Sequence, residues 1–170
     1  MDNLKLIDAY KGFLQNYSRK QLRYIPEQGV WSIGQMYDHL IVSAQDYLDH
    51  VEDCASAGRE QEEGKTEFGE SIFSTGGFPP IKITLPDEMN APPDNSKSRE
   101  VLILELEQLM TRVKEWEKNL GDINQKYKAE HGGFGWLNAR EWFALIEMHF
   151  RHHLRQKDDL DKRLGLKADH

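Results

Sequence analysis

The chain is poor in cysteine, with Cys54 as the only one among its 170 residues. A lone thiol excludes an internal disulfide framework and a zinc site built from several cysteines. Nothing near Cys54 favours a lowered pKa, so we expect it to be a bystander. Long apolar runs are absent too, since no stretch approaches the ~20 residues that a membrane-spanning helix needs. The N-terminal residues lack the basic-then-apolar layout of a signal peptide, which predicts a cytoplasmic location.

Basic residues are fewer than acidic residues. The chain has 22 basic and 29 acidic residues, which gives a formal net charge of -7. Such a chain lacks the basic surface that would attract nucleic acid or an anionic membrane, so we expect neither partner. Apolar residues at 38% and charged residues at 30% are typical of a folded chain. The length predicts one domain over residues 1–170, long enough to bury a core.

Apolar residues recur at helical spacing in four segments of the sequence. They predict helices over about residues 3–17, 32–58, 98–120 and 138–164. The third helix is expected to have a frayed extension to residue 129. Pro26 prevents a simple continuation of the first helix, so residues 19–30 are predicted to be a connection with one helical turn.

Two helix starts carry clear capping signals. Ser32 and Gln35 match the capping-box pattern S-x-x-Q, in which each residue satisfies a free backbone N–H of the first turn. Asn138 and Glu141 supply a second cap with an acid in the first turn. The glycine-rich stretch 131–137, just before the second cap, is predicted to be a turn.

The helical pattern fails between residues 57 and 95. Glycines and prolines are frequent there, and a loop of this length inside a compact domain is uncommon. Its apolar residues favour packing across the helices, with a short strand at residues 81–85. We read it as a long crossover connection between the second and third helices. The predicted fold class is therefore all-α, as a four-helix bundle.

Histidines lie on the face of the last helix that must turn toward the core. At ~100° per residue one face holds Trp142, Leu145, Ile146, His149, His153, Gln156, Leu160 and Leu164. His149 and His153 are one turn apart, so their imidazoles can converge on one ion at ~2.0–2.1 Å. His152 is offset by ~60° and either borders this site or points to solvent.

Two readings of this pair stay open. Buried imidazoles without partners would each cost on the order of 1–3 kcal/mol, which either a metal ion or hydrogen bonds to backbone or water can offset. A third ligand would favour the metal. His39 lies on the flank of the second helix with Ser43, off the centre of its apolar stripe, so helical angles alone do not decide its role.

Two motifs resemble a known family. W-S-I-G-Q-M-Y-D-H-L at residues 31–40 is similar to the second-helix signature of the DinB-like (YfiT-like) metalloproteins. H-G-G-F-G-W-L-N-A-R-E-W followed by H-F-R-H-H-L-R-Q resembles the turn and last helix of the same superfamily. The ending H-L-R-Q, where many relatives read H-R-G-Q, resembles a branch that has few assigned reactions. The resemblance implies a four-helix bundle whose metal is held by His39, His149 and His153.

A site of three neutral histidines leaves at least one position free, which is typical of catalytic metal centres. Zinc or nickel is the expected divalent ion, and iron or manganese also suits three imidazoles. The resemblance further implies thiol S-transfer or isomerisation with small cellular thiols, and a homodimer. Gln156 is a candidate for orienting a ligand, and Trp142 and Trp136 are candidates for lining the pocket.

Three hypotheses follow from these residues. The first is a metal-dependent enzyme that acts on a small molecule, including a low-molecular-weight thiol, by thiol transfer or hydrolysis. Glu147 lies on the far side of its helix and is not expected to be a catalytic base. The second is a non-catalytic metal-binding or sensing module, and the third is a dimerising module with a vestigial site. Imidazole ligation predicts that metal affinity falls as the pH drops through ~6.5.

Overall fold

A computed structural model describes residues 3–79 and 91–166, and this part of the chain is mostly helical. Its elements are α1 (Asn3–Phe13), α2 (Arg19–Arg23), α3 (Ile33–Ala55), α4 (Glu67–Thr75), α5 (Arg99–Asn119), β1 (Lys128–His131), β2 (Gly135–Asn138), α6 (Ala139–His152) and α7 (Leu154–Arg163). Short 3-10 turns follow α1 at Leu14–Asn16 and α5 at Leu120–Asp122. The predicted helical class is confirmed, with a small two-stranded sheet added to it.

Local signals located most helix ends. Both predicted capping boxes are present, at Ser32 with Gln35 and at Asn138 with Glu141. The expected turn in the first connection is α2, which starts with a further capping box at Ser18. The last predicted helix is divided into α6 and α7 at His153, whose backbone remains in the right-handed helical region. Backbone hydrogen bonds continue through the division, from the His153 N–H to the His149 carbonyl and from the Lys157 N–H to the His153 carbonyl.

The predicted glycine-rich turn is present at residues 132–134, where it connects two short strands that were not predicted, and the helical extension to residue 129 is wrong. β1 and β2 pair antiparallel there, with His131 opposite Gly135 at the tip. Gly135 has φ +85°, and a Cβ atom would lie 2.6 Å from the backbone nitrogen of Thr66. The hairpin therefore forms against a distant segment: the Trp136 N–H donates to the Gly64 carbonyl and the Thr66 N–H to the Phe134 carbonyl. Local periodicity carries no information about that partner.

The main core lies where α1, α3, α5 and α6 pack on one another. Three buried aromatic residues join these helices through hydrogen bonds as well as ring contacts. The Tyr10 hydroxyl donates to the Phe150 carbonyl at 2.5 Å, and the Tyr37 hydroxyl donates to the Tyr10 carbonyl at 2.6 Å. Because each buried hydroxyl has an acceptor, these rings add apolar area without an unsatisfied polar group.

The described parts of the long connection between α3 and α5 include the helix α4, which the sequence pattern did not predict, and hydrogen bonds attach them to the rest of the fold. The Gln61 N–H donates to the Lys126 carbonyl at 2.9 Å. At the returning end, Asp38 accepts the Asp94 N–H at 3.1 Å and the Lys97 ammonium at 2.5 Å. The strand predicted at residues 81–85 lies outside the described residues. No helix in the described ranges is long and apolar enough to cross a bilayer.

Candidate metal centre

Three histidines from two separate segments of the chain meet beside the core. His39 is on α3, His149 is on α6, and His153 stands between α6 and α7. The Nε2 atom of His149 lies 3.1 Å from Nε2 of His39 and 3.1 Å from Nε2 of His153. His149 is only 9% exposed, whereas the other two are half-buried. Three nitrogen donors therefore face a common point that remains accessible from one side.

Helix packing explains this convergence. α3 and α6 run against each other along much of their length, which brings His39 to the last turn of α6. His153 lies one helical turn from His149, because its backbone N–H still donates to the His149 carbonyl at 3.2 Å. His39 sits on the flank of α3, and this position suits a cluster at the edge of the core.

All three imidazoles are held in the neutral form. Burial lowers the pKa of His149 well below its usual range, and the neighbouring histidines lower it further. Burial likewise lowers the pKa of His153 to about 4. For His39, burial lowers the pKa and the nearby Asp38 carboxylate partly opposes that effect. Near neutral pH each ring consequently keeps a nitrogen lone pair, which is the form that binds metals.

Gln156 fixes which nitrogen of His153 carries the proton. The His153 Nδ1 atom lies 2.5 Å from the Gln156 side-chain oxygen. An amide oxygen only accepts hydrogen bonds, so Nδ1 donates and Nε2 keeps its lone pair toward the cluster. Such an outer acceptor is the usual partner of a metal-bound histidine. The prediction that Gln156 orients a ligand has this hydrogen bond as its support.

Three imidazole nitrogens form a donor set that fits a divalent metal ion. A neutral imidazole nitrogen carries either one hydrogen or one lone pair, so Nε2 of His149 cannot hydrogen-bond to both neighbouring Nε2 atoms at once. One ion at ~2.0–2.1 Å from each nitrogen would hold tetrahedral donors roughly 3.3 Å apart. The two pairs that include His149 are close to this at 3.1 Å, and the donor atoms of all three residues lie within 4.8 Å of one another. The Nδ1 atom of His149 is buried without a hydrogen-bond partner, so that ring lacks the outer acceptor that His153 has.

Uncharged side chains line the cluster. The Trp31 ring centre lies 5.0 Å from that of His39. The ring centres of Tyr47 and Phe78 lie 6.0 Å and 5.9 Å from that of His149. Sequence reasoning missed these residues as a lining. Tyr47 was detectable, because it follows His39 and Ser43 on the same face of α3 at intervals of four. Phe78 was not, because it comes from the long connection.

A family model described as the DinB superfamily matches residues 5–156 of the chain. The chain therefore belongs to the DinB superfamily. The match includes all three clustered histidines and Gln156, and it confirms the family resemblance of the two motifs. No curated protein and no solved structure matches the chain.

Of the other predicted pocket residues of this DinB-superfamily chain, one lies beside the cluster and two have no hydrogen bond to it within residues 3–79 and 91–166. His152 is half-buried beside the cluster, with its ring centre 5.3 Å from that of His153. Trp142 is buried away from the three rings: its Nε1–H donates to the Ala129 carbonyl at 3.2 Å, which secures the hairpin. Ser43 is half-buried on α3, and no hydrogen bond among the described residues links it to the cluster.

Two other histidines and the cysteine of this DinB-superfamily member have partners away from the cluster. His50 stacks on Trp142 at 4.2 Å, and the Nδ1 atom of His131 accepts the backbone N–H groups of Gly133 and Phe134. The Cys54 thiol donates to the Leu137 carbonyl, and burial raises its pKa to about 11, so it stays a protonated, unreactive thiol.

Glu147 does not turn toward the three rings. Its carboxylate pairs with Arg151 one turn along α6, at 2.9 Å. A carboxylate engaged in this way is a structural partner and not a proton acceptor for the cluster.

Proposed function

We propose that this chain holds one divalent metal ion with His39, His149 and His153 and acts as a metal-dependent enzyme on small molecules. The observation that carries the proposal is the convergence of three neutral Nε2 donors from two segments of the chain. The packing of α1, α3, α5 and α6 supports a four-helix-bundle scaffold for it. The reaction class we favour is thiol S-transfer, with hydrolysis as the alternative.

The residues around the cluster support this chemistry by binding and orientation. When bound, the ion would supply Lewis acidity that lowers the pKa of a thiol or water molecule, so that a nucleophile is available near neutral pH. Three imidazoles bring no charge, and the described metal-binding group contains no carboxylate. The chain's own ligands thus leave the positive charge uncompensated, which favours an anionic ligand such as a thiolate. Gln156 holds His153 in the required tautomer.

Metal removal and restoration test the proposed activity. The protein, freed of metal with a chelator, is assayed with low-molecular-weight thiols and small electrophiles, then again after addition of zinc or nickel. We expect turnover with the metal-loaded protein and none with the metal-free protein. The His153→Ala variant, treated with the same metal at the same protein concentration, should also show none. Thiol consumption measures the transfer, and release of acid measures hydrolysis.

Two other outcomes would contradict the enzyme proposal in different ways. Full metal occupancy without turnover of any tested thiol or ester would favour a binding or sensing module. No metal uptake, together with a stable dimer in sedimentation measurements, would favour a dimerising module with a vestigial site.

Burial alters the pH dependence expected for metal binding. Three solvated imidazoles of pKa 6.5 would each lose about fourfold in affinity at pH 6, because protons compete for the same lone pairs. The pKa of all three rings is lowered here, that of His153 to about 4. Proton competition therefore begins below the ~6.5 expected from the sequence. We predict that affinity measured by calorimetry changes less than about threefold from pH 7.5 to 6 and falls steeply toward pH 4. A combined loss above tenfold by pH 6 would contradict buried imidazole ligation.

A further inference from the structure

Phe78 is the one aromatic residue of the long connection that contacts the histidine group among the described residues. Its ring centre lies 5.9 Å from that of His149 and 5.6 Å from that of His152, with the rings edge to face at 84° in both pairs. A third contact, 5.9 Å to Phe134, supports the ring from the hairpin. Phe78 is half-buried, so part of its ring remains available to a molecule beside the cluster.

Arg151 fixes the backbone just before Phe78. Its guanidinium forms a two-pronged pair with Glu147, at 2.9 and 3.1 Å, and also donates to the carbonyl of Gly76. Gly76 ends α4 with φ +78°, the left-handed conformation that favours glycine. A Cβ atom at residue 77 would lie 2.9 Å from the same guanidinium. Residues 76–78 are therefore attached closely to α6 at Arg151, two residues from His149.

The start of α4 is anchored as well. The Thr66 hydroxyl accepts the Gly69 N–H and donates to the Gly133 carbonyl at 2.9 Å. Gly69 lies so close to the hairpin that a Cβ atom would be 2.3 Å from the Phe134 carbonyl oxygen. Since both ends of α4 are attached to other elements, the position of Phe78 is determined by the fold rather than by its own loop.

The chemistry of this side of the cluster is apolar and aromatic. The ring centres of Phe78 and Tyr47 both lie within about 6 Å of that of His149, and neither side chain is charged near neutral pH. Aromatic rings attract flat apolar groups by burying their surface and by edge-to-face contacts. A ligand atom on an ion at the three Nε2 atoms would place its substituent beside these rings.

We propose that Phe78 is a specificity-determining residue that packs against a planar apolar group of the substrate while the substrate's donor atom faces the histidine cluster. The proposal rests on the proposed function and narrows it: the substrate class is a small molecule in which an aromatic or similarly flat group adjoins a metal-binding heteroatom. Arg151 is a positioning residue that acts through residues 76–78.

Paired hydroxamates test this inference without an assay for turnover. The full chain is loaded with cobalt(II), whose visible absorption reports binding at nitrogen donors, and is titrated with acetohydroxamate and benzohydroxamate. These probes share one chelating group and differ in a methyl or a phenyl substituent. We expect the wild type to prefer benzohydroxamate and Phe78→Ala to reduce that preference by roughly threefold to tenfold. Acetohydroxamate affinity should change less than about twofold.

Further variants separate contact from folding. Phe78→Leu keeps an apolar side chain against Phe134 and should give an intermediate preference. Phe68→Ala removes the same ring type from α4, where Phe68 contacts Phe134 and is 42% exposed, and should leave the preference unchanged. Arg151→Lys loses the two-pronged geometry and should lower the preference without lowering acetohydroxamate affinity.

The possible failures are distinguishable. Absence of a cobalt spectrum in the wild type would overturn the proposed function and this inference with it. A normal cobalt spectrum with an equal or greater benzohydroxamate preference in Phe78→Ala would overturn the role of Phe78 alone. So would the lack of any preference in the metal-loaded wild type.

Discussion

Replacing His149 with alanine is expected to lower the affinity for zinc or nickel by more than ~100-fold, since loss of an outer partner alone costs about 10–100-fold. His149 is the central donor, because its Nε2 atom is 3.1 Å from both other Nε2 atoms. The variant retains two half-buried histidines, which cannot hold an ion with the same number of bonds. Competition with a coloured chelator measures the affinity, and inductively coupled plasma analysis measures the metal content.

Thermal stability gives an independent measure of the same loss. A ligand that binds only the folded state stabilises it by about 2.7 kcal/mol at a concentration of 100 Kd. The wild type should therefore show a clear rise in Tm when metal is added, and His149→Ala should show none. His50→Ala is the matched control, because His50 contacts Trp142 and Asp46 outside the cluster. Retention of affinity within tenfold in His149→Ala would remove the basis for a three-histidine centre.

The parts of the molecule that were predictable from sequence are those set by local interactions. The capping boxes at Ser32 and Asn138 depend on residues three positions apart, so their pattern is visible in the sequence. The pairing of His149 with His153 follows from one helical turn. The role of His39 as a ligand could not be derived from helical angles, because this residue lies on the flank of its helix.

The remaining features depend on contacts between distant segments. The hairpin at residues 128–138 needs residues 64–66 beside it. Phe78 lies beside the cluster because Arg151 donates a hydrogen bond to the Gly76 carbonyl just before it. Neither arrangement has a periodic signal. One feature was within reach of the sequence and was still missed. Lys157 and Asp161 continue the interval of four that starts at His149, which places both on the buried face of the last helical segment.

Lys157 and Asp161 form a buried ion pair that supports this end of the fold. Lys157 is 0% exposed and Asp161 is 2% exposed. The Lys157 ammonium donates to Oδ2 of Asp161 at 2.7 Å and lies 4.2 Å from the Phe13 ring centre. The Tyr17 hydroxyl donates to Oδ1 at 2.5 Å. The pair thus links α7 to the N-terminal segment, and each charge depends on the other for its compensation in a site without solvent.

Substituting Lys157→Met is expected to lower the free energy of unfolding by about 3–5 kcal/mol, because the Asp161 carboxylate would stay buried with no positive partner. Urea denaturation measures the change. Lys162→Met on the exposed side of α7 is the control, and a change within about 0.5 kcal/mol is expected there. The double variant Lys157→Met with Asp161→Asn removes both charges, keeps an acceptor for the Tyr17 hydroxyl, and should recover most of the loss. A loss under about 1 kcal/mol in the single variant would mean that water reaches Asp161 and that the pair is not the buried link between α7 and the N-terminal segment.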